Sequence, residues 1–420
     1  IKKYLLFSFF KVVILKKNFY ILNQPSWRQG WEISEQKREW FRKNSLKSAS
    51  RKKHLAEVNL TSTISKRIYR LKPELLMPQQ QKCGINSISL FSGCGGLDIG
   101  FERAGFEHNY AIDILDICGE TLRNNRPEWH ISSGSEEGDV QKIKWKKEIN
   151  TSKSPFVIHG GPPCQPFSNS GRQLGEDDSR NMVPQFFRAV RELKPDAFIM
   201  ENVAALGSKK FLPYLNSILE KNISKKYVYA KLYMYAPHFG VPQQRNRLFV
   251  VGFKKISNFK RFIKPLPTHS ISKFLEIHKG LKKYIKEVID IPGYSLLPET
   301  MGVREALGMD SSCIDGLAPT FRSGFTGPRN STSILNGASS QKVLQKMGLW
   351  GNGIAPSMEA AYGFPPENGT ERLCTSDIAL IQGFPTYWKI SGPVYKVLGQ
   401  LGNSVAPPVA YQIAMSVRNA

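Results

Sequence analysis

The residue most suited to chemistry is a single cysteine in the run GGPPCQPFS, Gly160 to Ser168. Cys164 follows the apolar run FVIH and stands among Pro162, Pro163 and Pro166. Those rings fix the direction of the thiol without improving packing. A cysteine at the carboxyl end of a strand in an open α/β sheet stands where such sheets hold their ligands. It attacks only as the thiolate, which a helix N-terminus or a nearby cation must favour. A buried structural thiol is the plainer reading of any lone cysteine. A second apolar run, DAFIMENV, ends in Glu201 and Asn202 and would deliver the glutamate to the same sheet edge, as a buried acid or hydrogen-bond donor. An ordinary strand-end acid paired with arginine competes with that reading. In GVPQQRNRLFVVG, Gly240 to Gly252, Arg245 and Arg247 alternate into a further strand and so share one face. That face suits a phosphate, a carbonyl oxygen or a carboxylate.

The run SLFSGCGGLDIGFERAGF, Ser89 to Phe106, passes from an apolar strand through Gly93, Gly95 and Gly96 into a helix. Such glycines let backbone amides approach a ligand at a helix N-terminus, though a plain tight turn uses them too. Asp113 follows 17 residues after Gly96, at the end of the strand YAID, where an acid can take both hydroxyls of a ribose. A helix N-cap is the alternative for Asp113. The six cysteines are spread singly, with no CxxC pair and no Cys/His cluster at zinc spacing, so neither a metal nor a disulfide framework is expected. That usage suits a reducing compartment.

The elements that must position these residues follow from short apolar runs ended by Gly or Pro turns: SISLF, HNYAID, FVIHGG, DAFIMENV and RLFVVGF. The alternation predicts a βα repeat and a largely parallel sheet. After Gly252 it fails. Phe253 to Asp290 holds 10 Lys plus Arg against 3 acids, then a Gly/Ser/Asn-rich stretch runs from Phe321 to Asn336, which reads as an insert with its own fold. Over the whole chain, 59 basic against 34 acidic residues in 420 give a net charge of +25, which attracts polyanions. Residues 1–80 carry 18 Lys plus Arg and 5 acids, a basic arm or a merely solvated extension. Tyr4 to Leu15 is apolar but too short to span a bilayer, and no small-residue cleavage site follows. Neither secretion nor a membrane is expected. The chain starts at Ile1 and its first methionine is Met77, which suggests a fragment boundary or sequence read from upstream of the natural start.

Together these motifs resemble the DNA (cytosine-5) methyltransferase family, restriction-modification type. The resemblance rests on Ser89 to Phe106, Gly160 to Arg172, Glu201-Asn202-Val203, Gln243-x-Arg245-x-Arg247, RLCTSDIALIQGFP (Arg372 to Pro385) and GNSVAPP (Gly402 to Pro408), in family order over about 330 residues. It implies a Rossmann-like S-adenosylmethionine-dependent methyltransferase fold with a smaller target-recognition domain inserted before the C-terminal segment. The implied division is a basic extension over 1–84, catalytic domain over 85–254 and 371–420, and recognition domain over 255–370. Cys164 is then expected to attack C6 of a flipped cytosine, Glu201 to engage N3 and the exocyclic amine, and Arg245 the O2 carbonyl, with Arg247 beside it. Cofactor contacts carry over to Phe91, Gly93, Cys94, Gly96, Asp113, Ile114, Asp139, Val140, Asn403 and Val405. Ile114 departs from the aromatic residue usual after the ribose acid, and Cys374 stands where leucine is usual. Gln165, Ser168, Arg180, Arg322 and Arg329 are the DNA contacts expected. Arg322 and Arg329 lie in the glycine-rich APTFRSGFTGPRNS, where arginine could read guanine or merely hold phosphate.

The insert is similar to those of modification enzymes for sites of the GGNCC or GGWCC kind. The resemblance implies double-stranded DNA as substrate, a restriction endonuclease as functional partner, a monomer, and a cytoplasmic, nucleoid-associated place in a bacterium. A tRNA cytosine-5 methyltransferase and an inactive DNA-binding relative remain the rivals. A thiol hydrolase is a third, but His159 is its only nearby base and strand alternation could turn it away.

Overall fold

The computed structural model describes residues 67–150, 155–163, 167, 180–223, 225–323, 334–335, 338–362 and 370–420, with five further positions between 36 and 50. Cys164, Gln165, Ser168 and Arg329 lie outside the described residues. Seven strands form one sheet: β1 (Asn86–Leu90), β2 (Glu107–Asp113), β3 (His130–Ser133), β4 (Phe156–Gly160), β5 (Ala197–Val203), β6 (Val228–Tyr235) and β7 (Asn246–Phe253). Their order is β3-β2-β1-β4-β5-β7-β6. β1, β2, β3, β4 and β5 run parallel, and β1 and β4 are buried along their whole length, as apolar runs covered on both faces must be. β7 is antiparallel to both β5 and β6. It reverses because the link Ala236 to Arg245 holds only a short 3-10 turn, less than the crossover of about a dozen residues that a parallel return requires.

β3 and β6 carry no strong sequence signal because each lies at a sheet edge, half wet. β6 alternates exposed Lys231 and Tyr233 with buried Leu232 and Met234. Eight helices of seven or more residues are described: α1 (Gly96–Arg103), α2 (Asp116–Asn125), α3 (Val183–Leu193), α4 (Leu212–Asn222), α5 (Ala338–Lys346), α6 (Thr375–Ile381), α7 (Val394–Asn403) and α8 (Pro407–Arg418). The strand pleat feeds two apolar layers. β5 sends Phe198 and Met200 to one layer, with Phe186 and Phe187 of α3, and Ile199 to the other, with Phe101 of α1 and Ile413 of α8.

Contacts cross both expected boundaries. Within the extension read as separate through residue 84, residues 67–84 pack on the body, and the apolar side chains of Leu71 and Met77 are 4% and 0% exposed in the core. The insert read as 255–370 has a small core of its own around Ile271, Phe274, Ile285 and Leu317. It is nevertheless continuous with the catalytic part: Phe259 and Phe262 pack on Phe253 of β7, and β8 (Leu349–Ala355) pairs in parallel with β9 (Glu371–Cys374) across the proposed division. Among the described residues no helix is long and apolar enough to cross a membrane.

Candidate active site

A cleft opens where β1, β2, β4 and β5 end, the edge at which open α/β sheets bind ligands. It encloses about 1050 Å³ of empty space, part of it open to solvent. Phe91 and Gly93 follow β1, Asp113 and Ile114 end β2, Gly161 to Pro163 follow β4, and Glu201 and Val203 end β5. Because β7 is antiparallel, its first residues lie at the same edge, with Arg247 paired to Val203. Asn403, Ser404 and Val405, between α7 and α8, close the cleft from the far end of the chain.

Asp113 is nearly buried, and Gly93 N and Leu115 N each donate to its carboxylate at 2.8 Å. Burial pushes the carboxyl up to about 6 in spite of those two donors. The Cys118 thiol is a third, weaker donor, so of about four lone-pair sites one is open for a ligand's hydroxyl and a second opens if the thiol bond yields. Phe91 holds the left-handed conformation, φ 55°, a departure that non-glycine residues reserve for over-determined sites. Gly96 opens α1 under the loop, and a Cβ there would overlap Ser404 Oγ and the Val405 carbonyl. Residue 96 therefore has to be glycine for the two cleft walls to meet.

The other wall carries the acid. Glu201 is 6% exposed, its Oε1 lies 2.8 Å from Arg247 Nε, and its Oε2 would touch a Cβ at Gly161. Burial raises the Glu201 carboxyl, and Arg247 and Arg245 pull it back down. Asn202 faces the opposite way and donates from Nδ2 to the Pro162 carbonyl at 3.0 Å. One strand end thus aims an acid into the cleft and fastens the loop that leads to Cys164.

Arg245, expected at a carbonyl oxygen of the substrate, is placed elsewhere. It precedes β7, is 1% exposed, and donates to the carbonyls of Gly402 (2.9 Å), Ser404 (2.5 Å) and Phe321 (3.4 Å). Its charge reaches Glu201, but its guanidinium holds the C-terminal block and the insert together, and Arg247 is the arginine lining the cleft.

Of the other residues read from sequence, Ile114, Asn403 and Val405 line the cleft. Cys94 lies beneath the loop, where its carbonyl accepts Trp388 Nε1 at 2.9 Å and burial pushes its thiol up to about 12. Val140 is buried, and Asp139 Oδ1 accepts from Gln141 N. Neither lines the cleft, although Gly138 beside them abuts the Asp113 backbone. Arg180 is half-buried, and Arg322 is half-buried at the root of its loop, where its N–H donates to the Ile334 carbonyl at 3.0 Å.

Sequence reasoning missed Cys118, Gln400 and Trp388. Cys118 and Gln400 line the cleft, and Gln400 accepts from Thr121 Oγ1 at 2.7 Å. Gln400 was legible as the residue one helical turn before Asn403. Burial raises the thiols of Cys94, Cys118 and Cys374, which keeps them protonated and unreactive. His159 is wholly buried, stacks on Phe101 at 4.2 Å, and is pushed down to about 4 by burial. It faces the core and supplies no base to the cleft.

A Rossmann-like sheet with one reversed strand, a glycine loop, a strand-end acid and a buried Glu–Arg pair around one cleft define an α/β protein with its ligand site at the carboxyl edge of the sheet. Residues 85–419 match the C-5 cytosine-specific DNA methylase family, and the chain belongs to it. It is a DNA cytosine-5 methyltransferase. It is 30% identical over 343 residues to Type II methyltransferase M.NgoMIV of Neisseria gonorrhoeae, covering 79% of this chain and 96% of that one. It is 41% identical over 198 residues to Type II methyltransferase M.AquIA of Picosynechococcus sp., covering 44% and 77%. A solved structure of an E. coli prophage-encoded DNA modification methyltransferase shares 24% identity at a TM-score of 0.49, over 80% of this chain and 99% of that one.

Proposed function

We propose that this enzyme methylates C5 of one cytosine within a short double-stranded DNA site, with S-adenosylmethionine as methyl donor, and protects that site from a partner restriction endonuclease. The observation that carries the reading is the buried Glu201–Arg247 pair beside Gly161 to Pro163, on the wall facing Asp113 across one cleft. The Type II names of the relatives support the restriction-modification context. The net charge of +25 suits a polyanionic substrate.

The residues fit the donor. Asp113 has lone pairs for ribose hydroxyls, and Ile114 and Leu115 offer an apolar surface for a purine, with Asn403 and Val405 opposite. S-adenosylmethionine supplies the methyl group. The target base must leave the duplex first, at a cost of roughly a few kcal/mol. Cys164 then adds its thiolate to C6, forming an S–C bond while the ring's electron pair shifts toward C5 and N3. Glu201, with its raised pKa, donates at N3 and accepts from the exocyclic amine, and Arg247 faces the O2 carbonyl. After C5 gains its methyl group, with S-adenosylhomocysteine as the group left behind, the C5 proton leaves to solvent, the S–C6 bond breaks to return the thiolate, and N3 gives its proton back to Glu201, which frees the base and resets both residues. Arg245 holds the Gly402–Ser404 backbone rather than the ring. Arg322 and Arg329 are the residues proposed to read guanine.

Incubation with unmethylated plasmid and S-adenosylmethionine, followed by conversion sequencing, is expected to give 5-methylcytosine at one short motif. That DNA should then resist an endonuclease cutting the same motif. Modified RNA with unmodified DNA would overturn the reading. Asp113 adds a pH dependence. Burial pushes its carboxyl up to about 6 and the carboxylate is the better acceptor of hydroxyls, so cofactor affinity is half-lost at about pH 6 and full from about one unit above it. Below that pH, affinity falls by up to about tenfold per unit. Calorimetric titration from pH 5 to 8 checks this, and Asp113→Asn should flatten the profile.

A further inference from the structure

Residues 67–83 lie outside the family match, which begins at 85, yet they contact the insert at Ala306 and Tyr362, the C-terminal segment at Arg372 and Asp377, and the catalytic body at Arg103 and Gly105. Arg67 is 5% exposed and its guanidinium pairs with Asp377, which is 0% exposed. The same guanidinium donates to the Arg372 carbonyl at 2.6 Å and lies 3.6 Å from Glu371. Its backbone N–H donates to Tyr362 Oη at 2.6 Å, and Tyr69 Oη donates to Asp377 Oδ1 at 2.9 Å. Asp377 also accepts from Cys374 N at 2.8 Å, so one buried carboxylate caps α6 and anchors the strap.

The chain then crosses to the insert. Arg70 N and Leu71 N both donate to the Ala306 carbonyl, at 3.0 and 3.2 Å. Gly308, at φ +71°, passes so close to the Ile68 carbonyl that a Cβ there would overlap it. Beyond Leu71 the strap runs onto the catalytic body: Arg103 Nε donates to the Met77 carbonyl at 2.7 Å, Gln80 N to the Arg103 carbonyl at 2.8 Å, and Cys83 N to the Gly105 carbonyl at 2.9 Å. Arg67 and Asp377 sit at the junction of all three parts. Burying this pair is costly, and Asp377, the Arg372 carbonyl and Glu371 offset that cost through the two terminal nitrogens, while the buried Arg67 Nε meets no acceptor.

We propose that residues 67–83 form a strap that fixes the insert over the catalytic domain, with Arg67 as a positioning residue for DNA. The inference rests on the reading of residues 255–370 as the target-recognition region. Loosening the strap lets that region rock, which weakens DNA engagement and leaves the cofactor wall, built on β1 and β2, as it was.

The test compares the full chain with Arg67→Ala, Arg67→Lys and Gly308→Ala. Each is measured by hydrogen exchange at 303–308 and 371–377, by S-adenosylmethionine affinity, and by kcat and KM for plasmid DNA. Arg67→Ala should speed exchange in both segments and raise the DNA KM on the order of fivefold or more, with kcat and cofactor affinity within about twofold. Arg67→Lys, which keeps the charge but not the fork, should fall between. Gly308→Ala displaces Ile68 without removing charge and should give the same split, which covers an Arg67→Ala that fails to fold. Unchanged exchange would overturn the strap and leave the recognition reading standing. Faster exchange with an unmoved DNA KM would overturn the positioning role and that reading with it. A parallel loss of cofactor and DNA binding in both variants would reduce the strap to a structural tie and overturn the proposal.

Discussion

Replacing Cys164 with alanine is expected to lower methyl transfer by on the order of 10⁴-fold or more, while S-adenosylmethionine binding persists. C5 of cytosine is not nucleophilic until electron density is pushed onto the ring, and addition of sulfur at C6 is the step that does so. Among the described residues no other thiol is placed to substitute, since Cys83 and Cys313 do not line the cleft. Cys94, Cys118 and Cys374 are buried, with pKa values raised by burial. The cofactor wall is built from β1, β2 and the Asn403–Val405 turn, so the substitution leaves it untouched. Single-turnover methylation gives the rate and calorimetry the cofactor affinity. A second readout is a duplex carrying 5-fluorocytosine at the target, where fluorine cannot leave as a proton does. Wild-type protein should remain covalently attached through denaturing electrophoresis and the alanine variant should not. Full activity in the variant would remove Cys164 from the mechanism.

Glu201→Gln is expected to lower kcat by about 10²- to 10³-fold with a much smaller change in DNA affinity. Glutamine fills the same space against Gly161 and still hydrogen-bonds, but it cannot give N3 a proton. It also leaves Arg247 without its carboxylate, so the guanidinium faces the cleft with an uncompensated charge. The pH profile separates these effects. Burial raises the Glu201 pKa, so the protonated, donating form survives to higher pH than an ordinary glutamate allows. Wild-type kcat should therefore fall as pH rises through that pKa, and the glutamine variant should lose this limb. An unchanged limb would assign it to another group.

Much of the catalytic half was legible because β1, β4 and β5 are buried and read as apolar runs, and β2 closes on the buried run Ala111–Asp113. Asp113 and Glu201 lie at the ends of β2 and β5. What stayed hidden follows from edges and from distance. β6 is half exposed and its mixed sequence hides the strand. Its short link to β7 reverses the latter, and that reversal brings Arg247 to the sheet edge where β5 ends. Alternation put Arg245 and Arg247 on one face, but it could not tell which one is occupied by backbone carbonyls from residues 321, 402 and 404. Trp388, lying on the glycine loop, and Arg67, paired with Asp377 across 310 positions, depend on contacts between distant stretches that no local pattern encodes.

The closure of the cleft by the Asn403–Val405 turn also sets when its two walls can meet during synthesis. Asn403, Ser404 and Val405 form one wall, and α8 seals α1 from behind through Ala410 and Ile413. A ribosome must therefore pass Val405 before both walls of the cleft exist, although Asp113, Cys164 and Glu201 emerge long before. Products truncated ahead of that turn lack one wall and are expected to leave DNA unmethylated.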